Sequence, residues 1–346
     1  MAKTRLIIYV LMAYGLTYLM GILMWYGSTR GYDLTVFPTA QMMYPAAGVI
    51  IGLFLAHKGE KILPAGFFIT VLATTGVLIV LALLSVFLPV NDLNIAGMTM
   101  SVYNLISQYI LIIGSIVALV FLAGNEKRAA AGLTRQNWKS AVLIVLAFVG
   151  IYIVRTVVSV AVQGVSDGSG MQHVKEWAAM FKNPMMWLNI AALPINYFFV
   201  FIAFFGEEYG WRYYLQPVLQ KRFGLRAGVI ILGVVWGLWH IPDDLFYYTQ
   251  TSGIQMIFAQ QITCISLGIF FAYAYMKTQN IWVPVCLHYL NNNLIPIISG
   301  TFSADVLENQ TVSWKDLPVA LVLNGLCFGF FLLADVFKKK EVQEEE

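Results

Sequence analysis

The sequence predicts an all-α fold, a polytopic membrane helix bundle of about ten transmembrane helices, and three observations carry that prediction. Charged residues make up only 11% of the 346, against 59% hydrophobic, whereas a soluble domain needs roughly 25% charged residues to cover its surface. Mean hydropathy is +0.74. Apolar runs of about twenty residues, the length that crosses a hydrocarbon core, recur from end to end. Lipid offers the backbone no hydrogen bonds, so runs this long and continuous fit helices rather than the ten-residue strands of a barrel.

Taken in order, the first five spans are Leu6–Tyr26, Thr39–Ala56, Ile62–Val90, Val102–Ala123 and Ser140–Val162. The first is too long for a signal-peptide core and has no A-x-A-like cleavage site, so it reads as a retained helix. The second is short and contains Pro45. The other five are Met185–Phe205, Ala227–Ile241, Ile254–Met276, Ile281–Ser299 and Leu317–Phe337. Met185–Phe205 is expected to continue as helix beyond the membrane face. The longest outer connection, residues 164–183, contains Gly168 and Gly170 and reads as a mobile loop.

Lys and Arg counts in short loops set the orientation. With a cytoplasmic N-terminus, fifteen fall on inner segments and only Arg30, Lys175, Lys182 and Lys315 on outer loops. Both termini are therefore expected in the cytoplasm, and the compact loops with an extended N-terminal half point to a bacterial plasma membrane. The net charge of +3 is spread over those loops, without the basic patch that would indicate nucleic acid. Cys264, Cys286 and Cys327 all lie in apolar runs and read as packing residues, with no disulfide framework and no metal motif.

Ionisable side chains inside a bilayer are costly and mark function. Here they gather in three distant segments: Glu207-Glu208 with Arg212, Trp236 with His240, and His288 with Asn291-Asn292. Spacing relates them. The turn between spans six and seven falls near Gly224, with Glu207 seventeen residues before it and His240 sixteen after. In an antiparallel hairpin both then lie about 24 Å from the turn, at one height. His288 is roughly 10 Å into a helix that enters from the same side. Glu208 and Arg212 are spaced i,i+4 and can pair, and His288 and Asn292 share a helix face in the same way. Glu207 is turned about 100° from Glu208, so the two carboxylates need not do the same work.

These residue types suggest hydrolysis. A carboxylate beside a histidine activates water as a general base, and an amide NH₂ with a second imidazole donates to the oxyanion of a tetrahedral intermediate. Zinc is the second option: Glu207, His240 and His288 with an open position form a catalytic ligand set. Otherwise no cofactor is called for.

The three segments resemble the CAAX-protease/bacteriocin-processing (Abi) family, whose motifs are E-E-x-x-x-R, F-x-x-x-H and H-x-x-x-N on successive core helices. Glu207, Glu208 and Arg212 match the first. Trp236 and His240 match the second with Trp in place of Phe, and His288 and Asn292 match the third. The resemblance implies a glutamate-dependent intramembrane endopeptidase acting on a membrane-embedded or lipidated peptide. Glu207 would activate water with help from His240, His288 and Asn292 would bind the oxyanion, and Glu208 with Arg212 would support the site. The resemblance covers roughly Met185–Ser299. It divides the chain into an N-terminal transmembrane extension (1–130), a catalytic helix bundle (131–340) and a charged cytoplasmic tail (341–346).

Two other classes compete. A non-catalytic immunity or scaffold protein would be expected to have lost Glu207 or a histidine, and a proton-coupled transporter would show paired broken helices in two related halves. Neither pattern is present. Other polar residues take plainer readings: Asp243-Asp244 as a solvated loop after Pro242, Arg155 as a snorkelling side chain, and Asn189, Asn196 and Asn324 as interhelical hydrogen bonders.

Overall fold

A computed structural model describes residues 2–95, 98–122, 126–299 and 308–338. The end of the fourth expected span, at Ala123, and the tail 341–346 lie outside the described residues. Each apolar run becomes a helix. They are α1 (Ala2–Ser28), α2 (Val36–Gln41), α3 (Tyr44–Ala56), α4 (Ala65–Phe87), α5 (Val102–Leu122), α6 (Trp138–Ser166), α7 (Gln172–Met180), α8 (Pro184–Phe223), α9 (Leu225–Trp239), α10 (Ile241–Phe246), α11 (Gly253–Thr278), α12 (Trp282–Ser299) and α13 (Asp316–Cys327). Among the described residues, eight helical stretches are long and apolar enough to cross a membrane, α2–α3 and α9–α10 each counting as one. With α12, an 18-residue helix at the ninth expected span, the all-α polytopic class holds.

Three expectations change, and one feature is added. The second span is two helices broken at Met42-Met43, and Pro45 lies in the first turn of α3, where its missing N–H costs nothing. The tenth stops at Cys327 and continues in 3-10 turns to Phe337. Phe328 and Phe331 turn inward there to pack on Phe148 and Phe270, with ring centroids 4.7–5.8 Å apart. Aromatic burial outweighs the lost helical hydrogen bonds. The connection 164–183 is not wholly irregular: it holds α7, anchored at its start by His173 on Asp167 (2.6 Å). Hydrogen bonds from Ser169, and then from His173, hold the Asp167 carboxyl well below the usual carboxylate range. Finally, a short antiparallel ribbon, β1 (Leu93–Ile95) with β2 (Met98–Met100), joins α4 to α5.

The N-terminal helices pack into the bundle and do not merely surround it. From α1, Tyr14 and Tyr18 hydroxyls donate to the Val235 and Leu238 carbonyls of α9, each at 2.8 Å, and Trp239 Nε1 returns a bond to the Ala13 carbonyl at 2.7 Å. Against α8 the approach is closer still. A Cβ on Gly206 would meet the Met42 carbonyl oxygen at 2.5 Å, and one on Gly210 would strike Pro45 Cβ and lie 2.9 Å from the Pro45 carbonyl carbon. Both obstacles are close to backbone and cannot rotate away. Gly210→Ala is therefore expected to cost about 1–3 kcal/mol through overpacking, read as a lowered melting temperature in detergent. Gly76→Ala, where a Cβ meets nothing within 4 Å, is the control and should melt with the wild type.

Candidate active site

α8 carries the first group of residues. It is helical through Glu208 and then widens into π-type turns over Tyr209–Leu215, a local expansion often found at functional sites. The widened turns hold Trp211 and Arg212, both wholly buried. Arg212 Nε donates to Glu208 Oε2 at 2.8 Å and Nη1 to the Gly268 carbonyl of α11 at 3.2 Å. Its guanidinium also lies over the rings of Trp236 and Phe271, at 5.1 and 5.5 Å, which helps to offset its desolvation.

Glu208 is shared. Its second oxygen accepts from His288 Nδ1 on α12 at 2.9 Å, so this carboxylate joins the cation on its own helix to an imidazole eighty residues away. That bond fixes the ring: His288 Nε2 points at Glu207 Oε1, 4.0 Å distant. The gap is too long for a direct hydrogen bond and is of the size a bridging water fills. Phe204, Trp236 and Phe271 enclose the same imidazole.

Glu207 is held by indoles. Trp236 Nε1 donates to its Oε2 at 2.9 Å and Trp211 Nε1 to the same oxygen at 3.3 Å. Both donors crowd one oxygen, so the lone pairs of Oε1 are left to face His288 and the cavity.

His240 closes α9. Its Nδ1 lies 2.9 Å from the Trp236 carbonyl; a carbonyl only accepts, so Nδ1 carries the proton and the Nε2 lone pair is exposed. Cys264 Sγ is 3.8 Å from the same Nδ1. Glu207, His240, His288, Asn291 and Asn292 all line one cavity of about 540 Å³, walled also by Trp236 and Trp239. Asn292 Oδ1 accepts from Asn291 Nδ2 at 3.0 Å, which leaves the Asn292 NH₂ as the donor.

Every residue singled out from the motifs thus lies in this cluster or on this cavity. Among the described residues, no group of three or more His, Cys, Asp or Glu side chains is arranged to hold a metal ion. His57 and His173 lie elsewhere, paired with Glu60 and Asp167.

Three features escaped the sequence reading. Trp211 and Trp236 are the hydrogen-bond donors to Glu207, although Trp236 entered only as the bulky position of the second motif; the i,i+4 spacing of Glu207 and Trp211 was the one available signal. Asp243 and Asp244 are not a solvated loop. They are 2% and 0% exposed in the first turn of α10, and Asp243 lines the cavity. Acidic side chains suit a helix N-terminus, and Gly21 of α1 closes over Pro242. Arg155 does not snorkel to the surface but turns to the cavity, with its Nε bonded to Asn324 Oδ1 at 2.6 Å. Asn324 is thus an interhelical hydrogen bonder, as is Asn196, whose Nδ2 donates to Tyr289 Oη.

Comparisons with known proteins meet the motifs at this point. Residues 189–294 match the family model described as type II CAAX prenyl endopeptidase Rce1-like, a segment that runs past Glu207, His240, His288 and Asn292. Over 125 residues the chain is 27% identical to CAAX prenyl protease 2 of Methanococcus maripaludis, a stretch covering 34% of this chain and 45% of that protein. The chain therefore spans less than half the length of that relative. No solved structure matches. Residues 189–294, which carry the three motifs, are thus similar to the Rce1-like type II CAAX prenyl endopeptidases, within a chain whose helices are those of an integral membrane protein.

Proposed function

We propose that the chain is an intramembrane endopeptidase that hydrolyses a peptide bond near the end of a prenylated or otherwise membrane-held peptide, with Glu207 as the base. The observation that carries this reading is the asymmetry of Glu207: two indole donors sit on Oε2, while Oε1 faces a cavity wall that also bears His240, His288 and Asn292. A water between Glu207 Oε1 and the His240 Nε2 lone pair gives its proton to the carboxylate as its oxygen attacks the scissile carbonyl. The carbonyl oxygen becomes an oxyanion, received by the Asn292 NH₂ and by Nε2–H of the His288 imidazolium. Glu207 then passes the proton to the departing amine, and the C–N bond breaks. The carboxylate of Glu208 keeps Nδ1 of His288 occupied, so that only Nε2 can turn to the substrate. On this reading the catalytic residues belong to the bundle 131–340, 1–130 is an N-terminal transmembrane extension, and the loop charges favour cytoplasmic termini.

The test is cleavage of quenched fluorescent peptides, some prenylated, by the purified protein in detergent, with and without a zinc chelator. Cleavage that survives chelation supports the glutamate route. Loss on chelation, restored by zinc, would assign Glu207, His240 and His288 as ligands and require the site to contract. A wild type that binds a prenylated peptide without cleaving it would favour a scaffold.

A further inference from the structure

We propose that Arg155 is a specificity-determining residue that binds the free C-terminal carboxylate of the peptide. This rests on the endopeptidase reading for the identity of the bound chain, but not for the binding chemistry itself. Arg155 stands within a membrane-spanning helix, seventeen residues past the start of the 29-residue α6, where an unmatched cation is costly. Among the described residues it takes part in no ion pair. Its guanidinium is nonetheless positioned: Nε is tied to the buried Asn324 Oδ1, and the Tyr152 ring lies 5.8 Å away. One of five N–H donors is thereby used. The remaining four form the fork that grips a carboxylate.

The distance to the catalytic cluster fits a short peptide end. α6 and α12 begin at the same level, because Asn137 Nδ2 donates to the Thr278 carbonyl at 2.9 Å and Asn280 Nδ2 to the Gln136 carbonyl at 3.0 Å. Arg155 is seventeen residues past Trp138, and His288 six past Trp282. The eleven-residue difference is about 16 Å along the helices. Three extended residues after the cleaved bond cover roughly 10–11 Å, and the arginine side chain bridges the remainder. Glu207, Asn292, Tyr152, Arg155 and Asn324 line one continuous cavity, so a peptide with its scissile bond at Glu207 has open space along which to reach Arg155. A chain ending in the C-a-a-X pattern, lipidated on its cysteine, presents a carboxylate three residues beyond that cysteine.

The experiment uses the full chain carrying Glu207→Gln, so that peptide is bound but not consumed. Two prenylated fluorescent peptides, identical except for a C-terminal carboxylate or carboxamide, are compared by anisotropy. The acid is expected to bind roughly tenfold to a hundredfold more tightly, the range of a charge-assisted hydrogen bond. Arg155→Gln should erase the difference by weakening the acid alone, and Arg155→Lys should restore part of it. Asn324→Ala, which keeps the cation but releases its tether, should narrow the ratio and serves if Arg155→Gln fails to fold. Equal binding of acid and amide, equal weakening of both by Arg155→Gln, or no binding of either peptide overturns the proposal. Cleavage by the Glu207 protein is followed in parallel. Acid-selective binding without cleavage would refute the endopeptidase reading and leave the carboxylate site standing.

Discussion

Glu207→Gln is expected to lower kcat for peptide cleavage by on the order of 10³-fold, within the range a positioned general base contributes, while the protein still folds. The substitution keeps the size of the side chain, and the amide oxygen can still accept from Trp236 and Trp211, so the indole contacts at 2.9 and 3.3 Å have a partner. What is lost is the ability of the group facing the cavity to take and return a proton. KM should change little, because Glu207 presents only one atom to the substrate channel. Trp236→Phe is the graded companion: it removes the closer donor, lets the carboxylate swing, and should lower kcat about tenfold. Cleavage by Glu207→Gln at the wild-type rate, with a wild-type melting curve, would sink the assignment of the base.

Arg212→Met is expected to destabilise the fold by about 3–5 kcal/mol, the cost of breaking a buried ion pair from one side. Arg212 and Glu208 are both 0% exposed and joined at 2.8 Å. Methionine fills much of the volume but leaves the Glu208 carboxylate with His288 as its one remaining cationic partner. The readout is the melting temperature in detergent, or the yield of folded protein where the variant does not accumulate. Pairing it with Glu208→Met removes the orphaned charge and should recover most of the loss, because an apolar pair of similar volume is close to neutral in stability. The double variant would fold yet cleave poorly, since His288 loses the acceptor that orients its ring. A single variant as stable as the wild type would mean that the pair does not hold α8 in place. These two outcomes separate the chemistry of Glu207 from the architecture of Glu208, a division foreshadowed by their 100° separation around the helix.

Much of this was legible along the chain. Hydropathy set the helices because lipid leaves an apolar run no other way to satisfy its backbone. The i,i+4 spacing of Glu208 with Arg212 announced their pairing, and the nearly equal distances of Glu207 and His240 from Gly224 placed both at one height, where they share a cavity. Both are local consequences of a fixed rise and turn per residue.

What depended on packing between distant elements was not legible. Sequence assigns a polar residue a depth in the membrane, but the side to which it turns follows from the neighbours that cover it. Asp243 and Asp244 follow a proline at a helix end, where solvent was expected; α1, folded over Pro242, buries them instead. Arg155 has the depth of a snorkelling residue, yet Asn324, 169 positions later, draws it inward. Trp236 belonged to the motif as a bulky apolar position, and its hydrogen bond to Glu207 exists only because α9 lies against α8. The sequence by itself determined the membrane class, the helices and the roster of the candidate site. Tertiary structure alone decided which oxygen of Glu207 is open, which nitrogen of His288 faces it, and where a lone arginine points, because each of those is a contact between residues that no local periodicity relates.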